Sequence, residues 1–309
     1  MTAAPLTADA VLVAFAEEVG AHGPITIAGA RTRWQRGGAL AAGTRIVHAP
    51  AGVVWHQPEE MTVCVRAGTP VAELADVLAA RGQRCALPER GGTVGGAIAV
   101  GENHLDVLGR GTVRASVLEV RYVSAEGRLV RGGGPTVKNV SGYDLPRVMT
   151  GSLGTLGLFA EVILRTNPTP AAVSWVRAEE ADPIATRDRL RGASAVLWDG
   201  GATWACIEGH TADVHAQVAA LAAVGKFEEA SGPPPLPPYR WSLAPAAPET
   251  LLQHQAGYFV AEIGVGVLHA SVPQPARTVP QGVAALAARL KAQFDPTGRL
   301  NPGRDPGRP

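Results

Sequence analysis

Net charge is what this 309-residue sequence has least of: 28 lysines and arginines against 27 aspartates and glutamates leave +1. Without a basic excess there is no electrostatic case for a nucleic-acid partner, and without a basic run there is none for a membrane surface. Cysteine is scarce as well. Cys64, Cys85 and Cys206 lie far apart with no C-x-x-C pair, which excludes a disulfide framework or an iron–sulfur cluster held by this chain alone and suits a reducing, cytoplasmic setting. The first twenty residues contain Glu17 and Glu18 and no basic segment; they read as an amphipathic helix over Thr7–Val19 and not as a secretory leader. No apolar run is long enough to span a bilayer, so direct membrane insertion is not expected. Ligand-spaced histidines are missing too: His210 and His215 are five apart, off one helical face, and no metal is expected.

Glycine and proline, by contrast, number 37 and 25. The glycines cluster where a ligand would want bare backbone. Val137 to Leu164 reads VKNVSGYDLPRVMTGSLGTLGLFAEVIL, with Gly151, Gly154 and Gly157 three apart and Ser152 and Thr155 between them. Such a stretch leaves N–H groups and small hydroxyls open to an anionic ligand, because no Cβ intervenes. A second cluster, RGGTVGGAIAVG, runs from Arg90 to Gly101. A third candidate follows the short strand predicted at Ile25–Ala28: the loop Gly29-Ala30-Arg31-Thr32-Arg33, where backbone, the Thr32 hydroxyl and Arg31 or Arg33 suit a pyrophosphate.

Around these loops the pattern predicts strands at Arg45–Ala49 and Met61–Arg66 joined by a turn at Gln57–Glu59, then a helix from Pro70 to Ala80 with Thr69 as its cap. Strands follow at Val117–Val123 and Leu129–Arg131, as a hairpin through Gly127, and at Leu158–Leu164. Asn167-Pro168-Thr169-Pro170 breaks regular structure and reads as a domain crossing. Beyond it, strand-like pieces (Val173–Val176, Ala195–Trp198, Trp204–Glu208) interleave with helical ones (Asp182–Arg191, Thr211–Val224), the signature of a small α+β cap. Ser231–Pro238 is a stiff connector, Tyr258–Val272 holds the last strands, and Gln281–Gln293 is a helix. The expected division is 1–170, a cap over 171–275, and a tail over 276–309 that returns to the first domain.

GGTVGG, VKNVSGYDL and GSLGTLG together resemble the PCMH-type FAD-binding domain of the vanillyl-alcohol oxidase superfamily and, more narrowly, the FAD-binding subunits of bacterial glycolate oxidases. The resemblance runs from about Pro24 to Pro170 and returns at Phe294–Arg304, roughly half the chain. It implies an α+β fold in which two subdomains hold an extended FAD, with a small α+β cap. It implies cofactor contacts from Ala28, Gly29, Ala30, Arg31, Thr32 and Arg33; from Pro88, Gly91, Gly92, Thr93, Val94, Gly95, Gly96 and Gly101; from Gly111 and Arg114 on the adenine side; from Gly151, Ser152, Gly154, Thr155 and Gly157; and from Asn301 in the closing turn. The family's first loop usually carries three glycines before a small hydroxyl residue; here Ala30 and Arg31 replace two of them. Lys138, Tyr143 and His269 are candidates for polar groups near the chemistry. A-E-I-G-V-G-V-L-H, ending at His269, resembles a metal-binding stretch of the family's catalytic partner subunits but has Glu262 where they have histidine, so the site looks eroded. The first loop has no histidine and the second no cysteine to attach a flavin, so FAD should be non-covalent. The implied function is that of the FAD-binding subunit of a glycolate oxidase-like complex acting on a small 2-hydroxy acid, with a second FAD-binding subunit and an iron–sulfur subunit as partners, in the cytoplasm or peripheral to the inner membrane through them. An independent FAD-dependent oxidase or dehydrogenase of altered substrate, and a cofactor-holding subunit without turnover, remain open alternatives.

Overall fold

The computed structural model describes residues 9–135, 143–245, 248–253, 257–276 and 279–308. Their elements run, in order, α1 (Ala10–Val19), β1 (Ile25–Ile27), β2 (Arg45–Val47), β3 (Val53–Gln57), β4 (Thr62–Arg66), α2 (Val71–Ala79), β5 (Gln83–Cys85), α3 (Val94–Val100), α4 (Val107–Arg110), α5 (Val113–Ser116), β6 (Val117–Val123), β7 (Leu129–Gly133), α6 (Leu145–Met149) and β8 (Leu158–Pro168). Then come β9 (Ala172–Glu179), α7 (Pro183–Arg189), β10 (Ala193–Trp198), β11 (Ala202–Gly209), α8 (Thr211–Ala220), β12 (Glu228–Ala230), β13 (Tyr239–Ser242), α9 (Pro248–Leu252), β14 (Phe259–Glu262), β15 (Val267–Ala270) and α10 (Gln281–Phe294). The class is α+β. Two units divide the chain: unit 1 takes Met1–Asn103, Val113–Pro168 and Thr278–Pro309, and unit 2 takes His104–Thr112 and Thr169–Arg277.

Unit 1 is built on β8, eleven residues long, which pairs antiparallel with β4 on one side and β6 on the other and extends far enough to pair with β5 as well. β3 and β7 complete this sheet at its edges. Helices α2 and α3 cover it through Leu74, Leu78, Val94 and Ile98, packed on Val63, Val65, Val120, Val162 and Leu164. Each such fully buried aliphatic side chain stabilises by roughly 1.5–3 kcal/mol. A smaller subdomain pairs β1 with β2 in parallel and packs α1 on them. The first helix begins where Asp9 accepts from the Val11 N–H at 3.0 Å, buries Leu12, Phe15, Ala16 and Val19 along one stripe, and stops at Gly20, whose φ of +59° suits glycine.

Three local expectations are corrected. The glycine-rich Arg90–Gly101 stretch is not a loop throughout: α3 occupies Val94–Val100, capped by Thr93, whose hydroxyl accepts from Gly96 N–H at 3.3 Å. Tight packing on β4 outweighs the low helix propensity of Gly95 and Gly96. Thr69 does not cap α2 with its side chain. Pro70 is the N-cap residue, and the Thr69 hydroxyl accepts instead from the Gly52 N–H at 2.8 Å, tying the turn to the strand before β4. Between Ala49 and Met61 there is a further strand, β3, half-exposed at the sheet edge.

Unit 2 is one antiparallel sheet of seven strands in the order β12-β9-β11-β10-β14-β15-β13. Val196, Ile207, Leu221, Trp241 and Leu268 build the larger of its two cores, and Leu197, Trp204 and Val260 the smaller. The Asp182 carboxylate starts α7 by accepting from the N–H groups of Ile184 and Ala185, at 2.7 and 3.0 Å. Ser231–Pro238 links β12 to β13 without regular structure. Among the described residues no helix is long and apolar enough to cross a membrane.

Candidate functional site

Unit 1 opens between its two subdomains into a cleft that is half open to solvent, with an enclosed volume of about 120 Å³. The end of β1 and the loop behind it form one wall: Thr26 to Trp34, and Arg36. The other wall comes from Ala67 and Gly68 after β4, from Gly92, Thr93, Gly95, Gly96, Ala99 and Val100 around α3, and from Leu153, Gly154 and Phe159. Asn301 and Arg304 of the C-terminal segment close one end.

The walls are locked together by glycine. A Cβ on Gly29 would lie 2.3 Å from the Thr93 hydroxyl oxygen, and one on Gly92 would lie 2.9 Å from that of Thr32, so the first loop and the start of α3 interlock with nothing between them. The C-terminal end of α3 is bridged in turn to the third glycine stretch, since Gly151 N–H donates to Ile98 O at 3.0 Å and Leu153 N–H to Ala99 O at 2.9 Å. Asn301 then donates from Nδ2 to Leu153 O at 2.9 Å, while its Oδ1 takes a close hydrogen bond from the Thr26 hydroxyl. Three sequence-distant segments are thereby joined at one point.

Hydrogen-bond capacity is distributed unevenly. At the start of α3 the N–H groups are spoken for: Val94 donates to Thr69 O and Gly95 to Ala67 O, at 2.9 and 2.8 Å. In the first loop, none of the five N–H groups from Gly29 to Arg33 has an acceptor among the described residues. Among the described residues four guanidiniums line the same cleft, Arg31, Arg33, Arg36 and Arg304, and no carboxylate does. Arg31 and Arg304 each place their guanidinium carbon 5.0 Å from the centre of the Trp34 ring, close enough for a cation–π attraction. Burial lowers the Arg304 guanidinium below its ordinary value. Glu102, behind the wall, forms an ion pair with Arg33 at 3.5 Å and a closer one with Arg36. The cleft therefore presents donors and positive charge, with Ile27, Val100, Leu153 and Phe159 as its apolar surface. That donor set fits a long ligand with an anionic middle and flat apolar parts, as FAD is.

Of the residues expected to hold the cofactor, Ala28 to Arg33, Gly92, Thr93, Gly95, Gly96, Gly154 and Asn301 line this cleft. Pro88, Gly91, Val94, Gly101, Gly111, Arg114, Gly151, Ser152, Thr155 and Gly157 are not among its lining residues. Several of these serve the protein's own packing. Val94 is buried under β4, and Gly157 lacks a Cβ because Tyr122 and Met149 stand 2.4 and 2.8 Å from where it would be. Arg114 donates to Thr150 O at 3.1 Å, and the Thr155 hydroxyl donates to Ser152 O at 2.7 Å. Even Gly154, at the cleft, is glycine because Asn301 Nδ2 would lie 2.5 Å from its Cβ. Gly154 and Gly157 thus answer to close packing, and Gly151 to its backbone, at φ +84°. Gly111 belongs to unit 2, at the end of α4.

The candidates for groups near the chemistry are dispersed. Lys138 lies outside the described residues, and Tyr143 is 92 % exposed. His269 sits in unit 2, where its Nε2 is 2.9 Å from Glu262 Oε1 with both side chains buried. Trp34, Arg36, Glu102 and Arg304 escaped the reading of the sequence. The repeat of arginine through positions 31, 33 and 36 was its available signal; that Arg304 joins them depends on the tail's path.

Residues 2–133 match the family described as FAD binding domain. The chain is 34 % identical to glycolate oxidase subunit GlcE of Escherichia coli (strain K12) over 160 residues, 50 % of this chain and 46 % of that protein. It is 38 % identical over 94 residues to a D-lactate dehydrogenase of Archaeoglobus fulgidus, covering 29 % and 21 %, and 41 % identical over 78 residues to glycolate oxidase subunit GlcD of Bacillus subtilis, covering 25 % and 17 %. The matched stretches thus span less than half the length of each of these relatives. Among solved structures, alkyldihydroxyacetonephosphate synthase shares the fold with a TM-score of 0.56 at 16 % identity, over 74 % of this chain and 51 % of that one.

Proposed function

We propose that this chain, whose residues 2–133 match an FAD binding domain, is the FAD-holding subunit of a glycolate oxidase-like dehydrogenase that oxidises a small 2-hydroxy acid. The observation that carries the reading is the cleft itself: five unused N–H groups among four guanidiniums and no carboxylate. The bound flavin would supply the two-electron redox chemistry. The protein's part is to orient and shield it. Gly29 to Arg33 offer donors to its anionic middle, and Ile27, Val100, Leu153 and Phe159 exclude water from its flat parts.

Attachment is non-covalent in this reading, since the described cleft-lining residues include no histidine, cysteine or tyrosine. The purified chain should absorb near ~370 and ~450 nm, roughly as an oxidised flavin does, and acid precipitation should release the colour to the supernatant. A colourless protein that takes up no added FAD would refute the assignment.

In this reading the chain needs partners for turnover: among the described residues the Glu262–His269 pair, 2.9 Å apart, has no third histidine, cysteine or carboxylate beside it to make a ligand set. The partners are a second FAD-binding subunit and an iron–sulfur subunit, and the complex is cytoplasmic or peripheral to the inner membrane through them. Glycolate and D-lactate should be turned over, with an artificial acceptor, by the co-expressed complex and not by the isolated chain. Turnover by the isolated chain at ~10 per second, about the enzyme median, would instead establish an independent dehydrogenase.

A further inference from the structure

Helix α10 buries none of its 14 residues. Its last turn is fastened to unit 1: Lys291 Nζ donates to Thr155 O at 2.8 Å and to Leu300 O at 3.0 Å, and Phe294 packs against the core under α2 and α3. Residues 281–289, by contrast, are all exposed. Val283 and Leu286 are 56 % and 55 % exposed, and with exposed Val279 before the helix and half-buried Leu290 they fall at spacings of four, three and four, which makes one apolar stripe along one side. A helix of this length with Gly282 in its first turn is marginal in water on its own, so an uncovered stripe on it marks a contact surface. The charge along the helix is of one sign. Over residues 279–294 the charged side chains are Arg289 and Lys291; Lys291 is spent on unit 1, whereas Arg289 has no ion pair among the described residues. The first turn has neither a side-chain cap nor an acidic residue, so its free N–H groups add to the same sign.

We propose that α10 is the element by which this chain docks on a different polypeptide, and that residues 279–290 seat in an apolar groove rimmed by carboxylates. The partner's identity rests on the complex proposed above; the chemistry of the groove follows from the helix. Val283, Leu286 and Leu290 are the anchors, and Arg289 meets the rim. A second copy of this chain fits badly. Its α10 brings no carboxylate to Arg289 in either a parallel or an antiparallel pair, and two narrow stripes face to face fall short of the roughly 800 Å² per partner of a stable interface. A groove, in contrast, can close round three sides of a helix that is exposed all round. A lipid surface fits no better, since helices that lie in membranes carry several cations and bulky aromatic anchors, and residues 281–289 offer one guanidinium and no aromatic ring.

The full chain is compared alone and co-expressed with the second FAD-binding subunit and the iron–sulfur subunit, singly and together. Leu286→Cys puts a thiol on the stripe, and because the chain's own cysteines are buried, alkylation by iodoacetamide reads that position. It should react freely in the isolated monomer and at least about tenfold more slowly in the complex, as expected for an anchor closed off from water. Leu286→Asp should weaken assembly about tenfold to a hundredfold, the range for an interface anchor. Arg289→Glu should weaken it about threefold to tenfold, and less in about 0.5 M NaCl. Both variants should keep the wild-type Tm and flavin content, since both side chains are exposed. Should Leu286→Asp fail to fold by circular dichroism, Leu286→Gln takes its place. A complex in which Leu286→Cys still reacts freely, or which neither substitution weakens, overturns the docking proposal and leaves the subunit reading standing. No complex with either subunit overturns the subunit reading and this partner together. Slow alkylation in the isolated monomer would show that the chain itself covers the stripe, and a wild-type dimer, or binding to phosphatidylglycerol vesicles, that Leu286→Asp abolishes would give the stripe to a second copy or to lipid; each of these overturns the proposal.

Discussion

Arg299 gives the most exacting stability test. Its guanidinium is buried and donates to five backbone carbonyls: Gly23 O at 2.9 Å, Gly20 O and Ala125 O at 3.0 Å, and Val19 O and His22 O at 3.1 Å. Burial lowers it from its ordinary value, against the opposing pull of Asp295. Arg299→Met keeps the bulk and removes every donor. At ~1.5–3 kcal/mol for each bond from a charged donor, five bonds would sum to about 7–15 kcal/mol, and the guanidinium's own desolvation offsets much of that. Some of these carbonyls lie in the exposed turn after α1 and accept water instead, which brings the expected loss to ~3–4 kcal/mol. For a unit of this size that is a fall in Tm of ~6–16 °C. Arg299→Lys, with three donors on one nitrogen, should lose about half as much. The measurement is thermal unfolding by circular dichroism, with flavin retention after gel filtration read in parallel, since Asn301 and Arg304 lie just beyond on the same segment. A Tm within ~2 °C of wild type for Arg299→Met would show that these five contacts carry no net stability.

Two further outcomes are expected. Gly95→Val should release flavin and destabilise unit 1 by ~2–4 kcal/mol, because the first added carbon would lie 2.8 Å from Ala67 Cβ and 3.0 Å from Ala67 O; Gly154→Val should release flavin through Asn301, and stoichiometric FAD in both purified variants would contradict this. Burial, reinforced by the Glu161 carboxylate, pushes the Cys64 thiol well above its ordinary range, so folded protein should resist thiol-directed alkylation at pH 8–9 while denatured protein reacts at all three cysteines. The sign for stability follows: above about pH 8.5 the unfolded chain loses a proton that the folded chain keeps, so stability falls as pH rises, and Cys64→Ala should flatten that slope as measured by denaturant midpoints.

What was legible beforehand was local. Val117–Val123 and Leu129 onward pair as antiparallel strands through the turn at Gly127, as expected, because the period of the side chains and a turn glycine suffice. The strand predicted at Leu158–Leu164 is real but continues to Pro168, since β5 supplies partners that no local pattern announces. β3 was missed because Val53–Gln57 lies at an edge, where half-exposure blurs the alternation. For the cleft, the sequence shows glycines but not which way each missing Cβ would have pointed: at Gly29, Gly95, Gly154 and Gly157 it is toward the protein's own atoms. Arg299 and Arg304 were illegible for another reason. Their partners are carbonyls and a ring hundreds of positions upstream, and a long-range hydrogen bond leaves no periodicity.

The order in which the chain is made bears on the tail. Ile25 N–H donates to Arg299 O at 2.9 Å and Asn301 N–H to Ile25 O at 2.8 Å, so the strand that opens unit 1 is paired with residues translated after the whole of unit 2. On the ribosome, unit 2 can fold as soon as its sheet has emerged, whereas the first loop waits with its N–H groups and arginines exposed until Asn301 and Arg304 arrive. Cofactor capture is therefore expected only after that segment has been made. A nonsense codon or protease cut between Arg299 and Asn301 would leave the cofactor cleft without Asn301 and Arg304, its end wall.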